Sequence, residues 1–321
     1  MNIVSARKSY TRERIFLGVI GLALISLPQA ADAQGGGKRS PRHCSTTTSY
    51  ANQGCRLAAL ADYNVSLGRC ENFAEFADRS ACRQEARAAL REELDSCREQ
   101  FFARRELCEE FGQGLYDPPI DPANFVSEVT NKFHPLPPGQ KRIYEAEGED
   151  GTEHIEIEVL SEKRTILGVV CTVVKDQVFV DDELAEDTLD FFAQDKDGNV
   201  WYFGEETKEL EDGAVVSIDG AWKAGVDGAR PGIVMKADPK VGDVYRQEFL
   251  LGEAEDVASV VALDQKVSVP EGDFEGCLET EEFTPLEPDA FEHKFYAPGV
   301  GTVLEVSVES GKRTELISVE G

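Results

Sequence analysis

Histidine is nearly missing from this chain: His43, His134, His154 and His293 are the whole set, and no two lie near enough in sequence to suggest a shared site. H-E-x-x-H, G-x-S-x-G, the P-loop and G-x-G-x-x-G do not occur. Zinc-protease, serine-hydrolase, nucleotide and dinucleotide chemistry therefore find no support, and no catalytic residue is assigned. No C-x-x-C pair is present, which weakens zinc-ribbon and thioredoxin-like readings. Positive charge is also short. Against 61 Asp and Glu stand 33 Lys and Arg, a net charge of −28, so phosphate backbones and anionic membrane surfaces would be repelled. Nucleic acid is excluded as a partner on that ground. After residue 33 no apolar run approaches the ~20 residues that span a bilayer.

What is present at the start is a secretory pattern. Arg7, Lys8, Arg12 and Arg14 precede an apolar run from Ile15 to Leu27, Pro28 breaks it, and Ala31-Asp32-Ala33 offers the small-x-small motif of signal peptidase. The expectation is a signal peptide over 1–33 and an exported protein, periplasmic or extracellular, with no transmembrane anchor after cleavage. All eight cysteines lie beyond that point, and an even count in an exported chain favours disulfides over metal thiolates.

Six of them, Cys44, Cys55, Cys70, Cys82, Cys97 and Cys108, are spaced 11, 15, 12, 15 and 11 residues apart, the same in both directions. Steps of 11 and 15 return to one face of a helix. Folding the segment back between Cys70 and Cys82 sets Cys44 against Cys108, Cys55 against Cys97 and Cys70 against Cys82. The segment is rich in Ala, Leu, Arg and Glu and has no proline from Ser45 to Asp117. This predicts a helical hairpin over 44–112 with three nested disulfides, its second helix capped by Asp78 or Ser80. A Gly-rich basic arm over 34–43 precedes it, and a Pro-rich linker over 113–124 follows.

Charge divides at the linker. Residues 34–115 hold 12 Lys and Arg against 12 Asp and Glu, whereas residues 116–321 hold 17 against 47. The acidic part, 125–321, reads as antiparallel β, so the expected class is α+β. Ile155, Ile157 and Val159 alternate with His154, Glu156 and Glu158. The run Ile166 to Val174 reads as one strand buried on both faces. Turn signals such as Asp197-Gly198, Asp212-Gly213 and Asp227-Gly228 recur at short intervals. Ten to twelve strands are expected, in a meander that curls into a half-barrel, barrel or sandwich. The two remaining cysteines, Cys171 and Cys277, are expected to pair.

Trp201, Tyr202, Trp222, Tyr245 and Tyr296 are candidates to line a pocket for an apolar ligand in such a sheet, although aromatic residues are more often core. Asp195 and Asp197, with Asp181 and Asp182, are weak calcium candidates. Their spacing departs from an EF-hand, which needs glycine at its sixth position, and a turn explains each better. No other cofactor is indicated. A strongly acidic domain would attract a basic partner.

Several blocks carry a resemblance: Tyr116 to Val126, Pro135 to Gly139, Ala193 to Glu205, Gly220 to Ala229, Gly242 to Glu248, Val269 to Phe274 and Glu292 to Gly301. Together they resemble a family of secreted bacterial proteins with no established activity, over residues 116 to about 306. The departure is Asn131 to His134, where that family has a more aromatic, proline-containing phrase. The phrases around Val269 and Tyr296 are also similar to exported β half-barrels of the lipoprotein-carrier type, a likeness of fold that implies a lipid ligand at most by analogy. The six-cysteine hairpin lies outside the resemblance. The expected function is a non-enzymatic binding or structural envelope protein. The alternatives are a carrier of a lipid or other apolar molecule, and a hydrolase with a carboxylate site that no motif reveals.

Overall fold

The computed structural model describes residues 42–148 and 151–321. The expected signal peptide, 1–33, lies outside the described residues, as does the arm 34–43 except for Arg42 and His43. His43 opens α1 (His43–Cys70), and α2 (Phe76–Glu110) runs back along it. The second helix starts earlier than the expected caps: Asp78 sits in its first turn, where a carboxylate faces the positive end of the helix.

Disulfides join Cys44 to Cys108, Cys55 to Cys97 and Cys70 to Cys82, with Cα atoms 5.6, 5.8 and 5.5 Å apart. Little else holds the helices together. Only Thr48, Ala59 and Cys70 of α1 are buried, while Tyr50, Leu57, Leu60 and Val65 are exposed. The cystines take the place that leucine layers occupy in an ordinary helix pair.

Sixteen strands follow, more than the expected ten to twelve. They are β1 (Lys141–Gly148), β2 (Gly151–Ile166), β3 (Val169–Val180), β4 (Glu183–Gln194), β5 (Val200–Glu206), β6 (Glu209–Glu211), β7 (Ala214–Ser217) and β8 (Trp222–Lys223), then β9 (Arg230–Met235), β10 (Val244–Arg246), β11 (Glu248–Phe249), β12 (Val257–Val269), β13 (Gly272–Thr284), β14 (Glu287–Ala297), β15 (Gly301–Ser307) and β16 (Arg313–Glu320). All pairs are antiparallel, in the order β10-β12-β13-β14-β15-β16-β1-β2-β3-β4-β5-β9-β11, with β6 and β7 hung on β4 and β8 on β5. The apolar run Ile166 to Val174 is not one strand. Leu167 and Gly168, both at positive φ, form a two-residue turn inside it and join β2 to β3. Leucine is rare at such a position, which is why the turn is hidden in the sequence.

The two ends of this strand order are neighbours in the chain. β10 pairs with β12 at one end, β11 pairs with β9 at the other, and Gln247 alone separates β10 from β11. The sheet must therefore curl until its ends nearly meet, although no ladder closes it. Gly232 of β9 makes the approach possible: a Cβ there would lie 2.4 Å from the Gln247 carbonyl and 2.5 Å from that of Arg246. Any side chain at this position would part the seam.

Cys171 and Cys277 do not pair. Both are free and wholly buried. Cys171, on β3, belongs to an apolar cluster with Phe191 and Phe203, whereas Cys277, on β13, packs with Leu304 and Leu316. Strands β14, β15, β16, β1 and β2 intervene.

The hairpin docks through Arg104 of α2. Its guanidinium binds the Glu255 carboxylate by three hydrogen bonds of 2.7 to 3.0 Å, and the two side chains are only 5% and 2% exposed. Beside it Arg246 lies against the rings of Phe111, Tyr116 and Phe249, at 4.9, 5.6 and 4.7 Å. Tyr116, from the Pro-rich segment, also donates to the Pro231 carbonyl at 3.0 Å. The segment after the hairpin is thus pinned to the sheet surface.

Candidate functional site

Strand alternation puts every second residue on the same face. On the inner face this gives Arg142 and Tyr144 from β1, Glu153, Ile155 and Ile157 from β2, Val174 and Asp176 from β3, Asp190 and Phe192 from β4, and Lys294 and Tyr296 from β14. Gln247 and Glu248, at the seam, complete the wall with Asp256, Glu282 and Glu305. They enclose a cavity of about 410 Å³, the size range of small-molecule sites.

Of the five aromatic candidates, Tyr202 and Tyr296 line this cavity and the others do not. Trp201 donates its indole N–H to Asp195 Oδ2 at 2.8 Å. Trp222 meets Tyr202 edge-on, with ring centroids 5.4 Å apart. Tyr245 is buried in the core with Val260 and Leu278.

The four calcium candidates lie in or beside turns, Asp197 as an exposed residue between β4 and β5. Asp195 is buried and accepts from the Asn199 backbone N–H, the Asn199 side chain and Trp201, so its carboxylate shapes the β4–β5 turn. Asp181 and Asp182, both at positive φ, are the two-residue turn between β3 and β4. Among the described residues no group of three or more His, Cys, Asp or Glu is arranged to hold a metal ion.

The cavity divides into two electrostatic regions. Around Lys294 three carboxylates share one cation: Nζ lies 3.2 Å from Glu282, 3.5 Å from Glu305 and 3.7 Å from Glu292. Glu282 also accepts from Tyr296 at 2.7 Å and Thr280 at 2.8 Å. Burial alone would raise Glu282, but Lys294 and these hydroxyls outweigh it and hold the carboxyl below its usual value. Lys294 is correspondingly held charged, well above the ordinary lysine range, by Glu282 and Glu305 despite its burial.

The wall made by β3, β4 and β5 brings carboxylates to the cavity but no cation of its own, and Lys294 only partly offsets the charge of Asp176. Burial, reinforced by Glu186, Glu305 and Glu205, pushes Asp176 up to about 7. Burial and neighbouring Asp176 take Asp190 to about 7, and burial with Asp190 takes Glu205 to about 7. The Tyr202 hydroxyl lies 2.6 Å from Asp190 Oδ1 and 2.9 Å from Glu205 Oε2. One hydroxyl proton cannot serve both oxygens well, so the second contact is a hydrogen bond when one carboxyl keeps its own proton. Such a carboxyl can give or take a proton near neutral pH. His134, by contrast, is kept neutral: burial and then Arg142 lower it to about 3.

A pH-dependent result follows for Asp176. Its value in the fold, about 7, exceeds the ordinary 3.8, so the folded protein keeps a proton that the unfolded chain releases. The stability associated with this carboxyl is complete below about pH 4 and is lost as the pH rises to about 7. Asp176→Asn keeps the shape and removes the ionisation. Urea titrations should show it more stable than the parent by about 1–3 kcal/mol at pH 8, after allowance for solvent screening, and equal to it near pH 4. A difference of the same size at both pH values would show that Asp176 ionises freely.

None of these inward carboxylates was singled out in the sequence. The available signal was a charged residue at an inward slot of a strand, as in Val174-Lys-Asp176 and Asp190-Phe-Phe192.

No family model matches the chain, and no curated protein matches it. Among solved structures it is similar to the crystal structure of a "putative lipoprotein" from Parabacteroides distasonis, with 10% identity and a TM-score of 0.34, over 59% of this chain and 99% of that one. A likeness this slight carries no argument about what the chain does.

Proposed function

We propose that this chain is an extracytoplasmic, non-enzymatic binding protein that holds a small ligand inside its curled sheet. The observation that carries the reading is the cavity of about 410 Å³ lined by one face of consecutive strands. A sheet interior left unfilled by side chains is where small barrels and half-barrels keep their ligands. Three disulfides support a working environment outside the reducing cytosol, with residues 1–33 removed on export. No helix among the described residues is long and apolar enough to cross a membrane. The hairpin serves as a rigid appendage fixed to the sheet by Arg104 and Glu255. A purely apolar cargo fits less well, because carboxylates line the same wall as Ile155, Ile157 and Phe192.

The test is native mass spectrometry of the protein extracted gently from its own host, beside an Ile155→Trp variant in which the indole occupies the cavity. The parent should carry a small molecule that the variant lacks. If the parent carries none and hydrophobic dyes bind both proteins equally or not at all, the cavity is not a ligand site. Turnover of ester or glycoside substrates that disappears in Asp190→Asn would instead favour a hydrolase, since Asp190 and Glu205 keep a proton where a general acid needs one.

A further inference from the structure

The inner wall of β3 and β4 is unusual in its charge. Asp176 and Asp190 are diagonal neighbours across the two strands, since Val174 pairs with Asp190 and Asp176 with Thr188. Diagonal residues on one face stand roughly 7–8 Å apart, a gap that one ammonium group can bridge with a hydrogen bond to each side. The cations of the cavity are already engaged. Lys294 is held by three carboxylates, Lys312 by Glu153, and Arg142 by Gln140 and the Pro135 carbonyl. Asp176 Oδ1 is removed from solvent and has no hydrogen-bond partner. A buried carboxylate oxygen in that state costs free energy that a donor entering the cavity would recover.

The neighbouring surface is apolar and aromatic. Phe192 stacks on Tyr202 with centroids 4.8 Å apart, and Ile155, Ile157 and Val174 stand on the adjoining strands. A bare metal ion would leave this surface unused, and no three ligands converge on a common point among the described residues. A fatty acid would bring its carboxylate against Asp176 and Asp190.

We propose that the cavity receives a small organic cation, its ammonium group between Asp176 and Asp190 and its hydrocarbon part against Phe192 and the adjoining aliphatic side chains. The inference rests on the reading of the cavity as a ligand site and adds the class of ligand.

Three probes share one hydrocarbon tail and differ in the head: hexylamine, hexanol and hexanoate, titrated calorimetrically into the full exported protein at pH 7.5. Hexylamine should bind at least tenfold tighter than hexanol, and hexanoate should not bind. Asp176→Asn should weaken hexylamine at least tenfold and leave hexanol within twofold. Because that variant is expected to be as stable as the parent or more so, its loss of binding cannot be put down to unfolding. Hexanol or hexanoate binding as tightly as hexylamine would overturn the cationic ligand while leaving the cavity a binding site. Failure of all three probes overturns it too, and the native mass spectrum then decides whether the cavity holds anything.

Discussion

Reducing the protein should dissolve the helical hairpin and leave the sheet standing. α1 and α2 are 28 and 35 residues long, yet α1 buries little besides Thr48, Ala59 and Cys70. Helices without an apolar seam are held neither by propensity nor by packing. The rungs close separations of 64, 42 and 12 residues, for which loop entropy gives about 3–4 kcal/mol each. The middle rung is the cleanest to remove. In Cys55→Ser/Cys97→Ser, amide exchange in the middle turns of both helices should speed up by roughly 100- to 1000-fold, in line with about 4 kcal/mol. Full reduction should remove most of the 222 nm helical signal. The near-ultraviolet signal of the sheet should persist, because Trp201 and Trp222 lie far from any cystine in the chain and pack within the sheet. Unchanged helicity after complete reduction would mean that the helices hold themselves together.

The second large effect belongs to Arg104. Its partner Glu255 accepts three buried hydrogen bonds from it and one from the Gly252 backbone N–H at 2.7 Å. Arg104→Ala leaves that carboxylate buried without its cation, which costs roughly 3–5 kcal/mol. The expected consequence is a fall in Tm of about 10 °C, with proteolysis between the hairpin and β1 appearing below the melting of the sheet. Arg104→Met combined with Glu255→Gln should recover part of the loss, since it removes the stranded carboxylate but takes from buried Arg246 the negative charge beside it. Equal stability of parent and Arg104→Ala would show that the hairpin does not dock through this pair.

The hairpin could be read from sequence because helical repeat and chain reversal constrain the same residues. Cys44, Cys55 and Cys70 must share a stripe, and so must their partners. The sheet was legible as a class through Ile155, Ile157 and Val159 and through turns such as Asp212-Gly213. Its closure was not. Nothing local marks Gly232 as the point where Gln247 comes near, because that contact depends on the rotation summed over many strands. Leu167 hid a turn because leucine seldom takes positive φ. Cys171 and Cys277 look like partners only by elimination, and burial in separate clusters needs no bond between them. The site residues were obscured by number. Among 47 acids in residues 116–321, Asp176 and Asp190 belong to the few that face inward, and that depends on register over a whole strand.

The passage from β10 through Gln247 to β11 has a further consequence for how the protein meets other chains. A sheet of sixteen strands would ordinarily offer two long unpaired borders, each a template on which another chain could extend. Here the two ends of the main strand order are strands of three and two residues, joined through Gln247 alone and turned toward each other. At this seam too little backbone is left for a foreign strand to register against, so the short β7, paired on one side only, is a border that remains. The same passage that shapes the cavity thus also removes the two long borders on which a protein of many strands could polymerise.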